Sequence, residues 1–113
     1  MPLVKHTVNI EDLDMLNPTL YPVIGFLMMF CFEHNLECLI TSAYRANDPG
    51  PHGDFRAVDF RANTWPEHHV EKFRREATEK YGHLGAYSRS DGKQRLVIFH
   101  GEGLNYHGHI QCK

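Results

Sequence analysis

The densest apolar stretch of the chain, Leu20 to Phe32, places Leu20, Val23, Ile24, Leu27, Met28, Phe30 and Cys31 around more than one stripe of a helix. A largely buried helix is therefore predicted, opened by Asn17-Pro18-Thr19, running to Glu33 or His34 and stopped by Asn35. Cys38 to Ser42 is short and rich in β-formers and reads as a buried strand. Ala46 to Gly53 reads as a loop, because Asp48-Pro49-Gly50-Pro51 continues neither element. Phe55 to Arg61 alternates like a strand, with Ala57, Asp59 and Arg61 on one face and Val58 and Phe60 on the other. Thr64-Trp65-Pro66-Glu67 has the form of a capping box with proline early in the first turn. Val70, Phe73, Ala77 and Tyr81 then recur on one helical face, and Gly82 is the expected stop. Three more strands are expected around Leu84–Ser88, Arg95–His100 and His107–Cys112, with Asp91-Gly92 as a hairpin turn. The order of helix, strands, helix and strands predicts a compact α+β domain, a small antiparallel sheet with two main helices.

At 113 residues the chain is expected to be one domain with a real core. Hydrophobic content of 42% and charged content of 23% are ordinary for a globular protein. A net charge of -2 lacks the basic footprint of a nucleic-acid binder. Trp65, Phe26, Phe30 and Phe73 read as core packing. Cys31, Cys38 and Cys112 form neither an even framework nor a CxxC pair, and read as reduced thiols. The N-terminal run has no apolar signal segment, and Leu20–Phe32 falls short of the ~20 residues of a membrane helix. Cytoplasmic synthesis without stable membrane insertion is therefore expected, and the oligomeric state is not legible.

Nine histidines are many for this length. Two segments concentrate the chemistry: His52-Gly53-Asp54-Phe55-Arg56-Ala57-Val58-Asp59, and His107-Gly108-His109-Ile110-Gln111. Residues i and i+2 of a strand share a face, so His107 and His109 can line one cleft. The glycine between them removes bulk near the backbone. His52 must sit on a loop or strand start, since prolines and glycines flank it, and Asp59 on the strand it leads into. Ala57 is small, on the Asp59 face, and leaves room for a metal. One face then offers imidazole, carboxylate and imidazole, a donor set that suits Zn²⁺ with a fourth position open to water.

The run S-A-Y-R, followed by H-x6-D within R-A-V-D-F and then H-x-H-x-Q, resembles the zinc D-alanyl-D-alanine carboxypeptidase and L-alanyl-D-glutamate peptidase family, many of whose members are phage endolysins. The similarity runs from Thr41 to Gln111. It implies the hedgehog-type α+β fold and zinc ligands at His52, Asp59 and His109. It implies a substrate-orienting arginine at Arg45, whose forked donors suit a carboxylate or the scissile carbonyl. His107 matches the non-ligand histidine of the H-x-H members, placed to take a proton or to stabilise a tetrahedral oxyanion. The substrate implied is a peptidoglycan stem peptide or cross-link containing a D-amino acid. An endolysin made in the cytoplasm would need a partner to reach the wall.

Two departures from the family pattern stand out. Many members carry Glu or Asp three residues before the last histidine as general base, where this chain has Tyr106. His107 is then the expected base, with Glu102 as a second candidate. The glycine usual three residues after the first histidine is Phe55, which bears on loop shape.

Rival readings use the same residues differently. A histidine-nucleophile nucleotidyl or uridylyl transferase also carries H-x-H-x-Q, but no basic phosphate cradle is present and His52 and Asp59 would lack a role. A non-haem iron site places its carboxylate two residues after the first histidine, not seven. A cupin site would need a further glutamate and strand. A zinc-binding module on the same fold without turnover is the non-enzymatic alternative. Of the other histidines, His68 and His69 read as a solvated helix face, His100 as a strand end with lining of the cleft as the alternative, and His6, His34 and His83 have no assigned partner.

Overall fold

The computed structural model describes residues 3–4, 13–43, 55–88 and 91–113. The loop expected from Ala46 to Gly53, with Arg45, His52 and also His6, lies outside the described residues.

Helix α1 spans Leu20–His34. Thr19 is its cap residue and makes no side-chain cap; just ahead, Asn17 accepts the Thr19 N–H on Oδ1 at 3.0 Å and the Leu20 N–H on its carbonyl at 2.9 Å. At the other end Asn35 adopts the left-handed conformation (φ 55, ψ 47) and Leu36 N–H donates to Cys31 O at 2.8 Å, the expected stop. Helix α2 spans Glu67–Tyr81 and buries Val70, Phe73 and Ala77. The capping box does not form. Pro66 occupies the cap position without a side-chain cap, so Glu67 is the first helical residue instead of the third. Gly82 is the stop expected: α2 ends at Tyr81 with Gly82 as its cap residue, still right-handed, and a 3₁₀ turn follows over Gly82–Leu84.

The strands are β1 (Leu3–Val4), β2 (Leu39–Ser42), β3 (Ala57–Arg61), β4 (Ala86–Tyr87), β5 (Gln94–Arg95), β6 (Val97–His100) and β7 (His107–Gln111). Five form one sheet in the order β1-β2-β3-β7-β6. It is antiparallel apart from the β1–β2 pair, so the α+β class expected from the sequence holds. The strand expected over Arg95–His100 divides at Leu96. Its first part joins the β4–β5 hairpin, turned at Gly92 (φ 69), and its second part joins the main sheet. Leu96 is buried and its carbonyl accepts the Gln111 N–H at 2.9 Å, tying hairpin to sheet.

The helices cover one face of the sheet. Val58, Phe60 and Ile110 point into that layer and join Leu20, Val23, Leu27 and Phe73, each fully buried. Aromatic rings fill the interior: Phe60 lies 5.4 Å from Trp65 and 5.8 Å from Phe73, centroid to centroid. Burying a ring such as that of Phe73 contributes roughly 2–3 kcal/mol. Trp65 also donates its indole N–H to Glu37 O at 3.1 Å, so its polar atom is satisfied. Cys31 and Cys112 are buried and all three cysteines are free thiols; burial pushes the Cys112 thiol up. No helix among the described residues is long and apolar enough to cross a membrane.

Candidate metal centre and cleft

The face of the sheet opposite the helices carries the polar residues. Strand alternation puts Ala57, Asp59 and Arg61 on it from β3, and the register pairs them with Gln111, His109 and His107 of β7. On the other side of β7, Ile98 and His100 of β6 pair with His109 and His107. Two central strands thus place a carboxylate directly across from an imidazole. Gly108 is what lets β7 lie flat there. A Cβ at that position would stand 2.1 Å from Phe60 Cζ, so the expected removal of bulk serves the packing of Phe60 beneath the strand.

Asp59 is 4% exposed, and its Oδ1 lies 2.7 Å from His109 Nδ1. On the far side of the ring, His109 Nε2 lies 3.0 Å from Gln111 Oε1. The Gln111 amide is oriented by its own Nε2–H, which donates to Arg95 O at 3.0 Å. Both imidazole nitrogens therefore face oxygen acceptors, although a neutral ring has only one N–H to donate. A second ring proton would satisfy both, as would a cation held at Nδ1. With a cation there, Nε2–H would donate to Gln111, the outer support that metal-bound histidines ordinarily have, and Nδ1 and Asp59 Oδ1 would be the donors. Two donors of one tetrahedral zinc stand about 3.3 Å apart, so the pair would open by several tenths of an ångström. The two residues fit zinc in donor type and support. Among the described residues no group of three or more His, Cys, Asp or Glu is placed to hold a metal, and the third expected ligand, His52, lies outside them.

His107 is part-buried beside the cleft. Its Nδ1–H donates to Asn105 O at 2.7 Å, which leaves Nε2 as the basic nitrogen of the neutral ring. Its ring centroid is 4.0 Å from that of His100, and His100 is 6.4 Å from His109. His100 is the strand end expected, closing β6, and its ring joins a histidine cluster there. Tyr106 stacks on Phe99 at 6.0 Å, and burial raises its phenol above the usual range. Glu102 is exposed ahead of a 3₁₀ turn and does not border the cleft. The turn between β6 and β7 depends on Gly101 at φ 95, where a Cβ would meet Asn105 O at 2.4 Å.

The cleft itself is open, with a volume of about 310 Å³, bordered by Thr41 and Ser42 of β2, Asp59 and Arg61 of β3, and Tyr106 and His107. Phe55 precedes β3 with φ 58, a left-handed backbone that glycine adopts freely and that costs another residue roughly 1–2 kcal/mol. Phe55 O accepts the Asn17 N–H at 2.9 Å.

Arg61 is a residue that the motifs alone do not single out, although it was implicit in the strand pattern, two positions beyond Asp59 on the same face. Gln111 closes the H-x-H-x-Q motif, which did not show its part in holding the His109 ring. Comparison with known protein families, with curated proteins and with solved structures finds no match.

Proposed function

We propose that this domain is a zinc-dependent peptidase that cleaves a peptide bond in peptidoglycan stem peptides or cross-links. The observation that carries the reading is the buried Asp59–His109 pair, backed by Gln111. The sequence resemblance supplies the substrate class and the third ligand, His52. A zinc ion bound there supplies an activated water and polarises the scissile carbonyl. Asp59 and His109 would hold it with His52, and Gln111 fixes the ring orientation of His109. His107 presents a basic Nε2 near the cleft to take the proton released on attack, because Nδ1 is committed to Asn105 O. Arg45 orients the peptide. Among the described residues Asp59 is the only carboxylate bordering the cleft, which leaves the proton to His107 instead of an acidic side chain.

The test is hydrolysis of N-acetyl-D-alanyl-D-alanine and of purified peptidoglycan, followed by mass spectrometry of the products. The expected result is cleavage that is abolished by a chelator, restored by zinc and lost in H107A. That the described residues place no acidic group besides Asp59 at the cleft favours one second reading, a zinc-binding module without turnover. Stoichiometric zinc with neither substrate cleaved would establish that reading instead.

A further inference from the structure

Arg61 occupies an unusual place for a cation. It lies on β3 two residues after Asp59, pairs across to His107 on β7, is part-buried and borders the cleft. Most other arginines of the described residues have evident partners. Arg56 donates to Cys112 O, Arg74 pairs with Glu71, and Arg95 holds Asp91 through two hydrogen bonds. Arg75 points to solvent from α2. Among the described residues no ion pair or side-chain hydrogen bond engages the Arg61 guanidinium. Among the described residues the one carboxylate bordering the cleft, Asp59, is turned to His109. A guanidinium left uncompensated at the wall of a cleft attracts an anion, and its planar fork matches a carboxylate through two parallel hydrogen bonds.

We propose that Arg61 binds the C-terminal carboxylate of the peptide substrate, so that the enzyme releases a single C-terminal residue. The proposal rests on the peptidase reading and narrows it from endopeptidase or carboxypeptidase to carboxypeptidase. Spacing supports the narrower choice. Asp59 and Arg61 are two residues apart on one strand, about 6.7 Å along β3. One extended residue spans about 3.3–3.6 Å, which together with a guanidinium–carboxylate contact fills that offset; two or more residues would overrun it. The cleft volume of about 310 Å³ is at the small end for ligand sites and suits the end of a chain more than its middle. Thr41 and Ser42 of β2 border the same space.

The experiment compares N-acetyl-D-alanyl-D-alanine with its C-terminal amide, on wild type, R61Q and R61K. Binding to the metal-free protein is followed by amide and guanidinium NMR shifts, and turnover of the zinc-loaded protein by kinetics. The wild type is expected to bind the free acid and not the amide, with shifts centred on Arg61. In R61Q that binding should vanish and KM for the acid should rise by about tenfold or more with kcat little changed, while R61K keeps part of both. Equal binding of acid and amide, binding of neither, or tighter binding of inorganic phosphate than of the acid would overturn the proposal. The two readings fail separately. Acid-selective binding without hydrolysis in any condition sinks the peptidase and leaves the carboxylate site standing. Hydrolysis of acid and amide alike sinks the carboxylate site and leaves the peptidase.

Discussion

Gln111 shows how much one side chain can settle at this site. Its amide donates to Arg95 O, so its oxygen has no choice but to face His109 Nε2, and the imidazole turns Nδ1 toward Asp59. Replacing Gln111 by leucine keeps the volume and removes the oxygen. Zinc affinity should fall by roughly 10–100-fold, measured by competition with a chromophoric chelator; an unchanged affinity would show that the ring needs no such support. Gly108 makes a different kind of demand, since its Cα is where the Phe60 ring passes under β7. G108A is expected to cost on the order of 1–3 kcal/mol in urea denaturation. Adding F60L should recover part of the loss, because the clash is with the ring and not with backbone.

Between elements, the contact most sensitive to solution conditions joins the end of α1 to the start of α2. The His34 and His69 rings are 4.7 Å apart, His68 is 4.1 Å from His69, and Phe30 packs edge-on against His69. His69 had read as part of a solvated face, yet its Nδ1 is buried without a hydrogen-bond partner. Desolvation first, then His68, His34 and Lys72, hold its pKa below the ordinary 6.5. Between that lowered value and about 6.5 the unfolded chain binds a proton that the folded chain refuses, so stability is full above pH 6.5 and falls as the pH drops below it. Thermal melts at pH 7.5 and 5.5 should show a larger drop for wild type than for H69Q; equal drops would remove His69 as the cause.

Helix α1 was legible because its stop depends on local chemistry, a left-handed Asn35. The faces of β3 and β7 were legible because alternation is local too, and with them the Asp59–His109 juxtaposition became foreseeable. What escaped the sequence depends on partners far along the chain. Leu96 splits one apolar run between two sheets because Gln111 binds its carbonyl, and His69 is covered by residues of another helix. The capping box failed for a local reason: Pro66 took the cap position and moved Glu67 out of reach of the third.

At the scale of the molecule, the division of labour is between the two faces of the main sheet. Helices α1 and α2 and the Phe60, Phe73 and Trp65 rings hold one face, and the other is left to carry Asp59, Arg61, His107, His109 and Gln111. Placing the polar set on the central strands β3 and β7 makes it as rigid as the fold allows, since each is paired on both sides. The central claim is that Asp59 and His109 of this set, with His52, bind zinc. Elemental mass spectrometry on purified, untagged protein tests it most directly, with D59A, H109A and H52A alongside. The account predicts close to one zinc per chain in the wild type and loss of that zinc in each variant. Wild-type protein that stays metal-free after zinc is offered and the excess removed would contradict it, and would bring the histidine-nucleophile transferase reading forward.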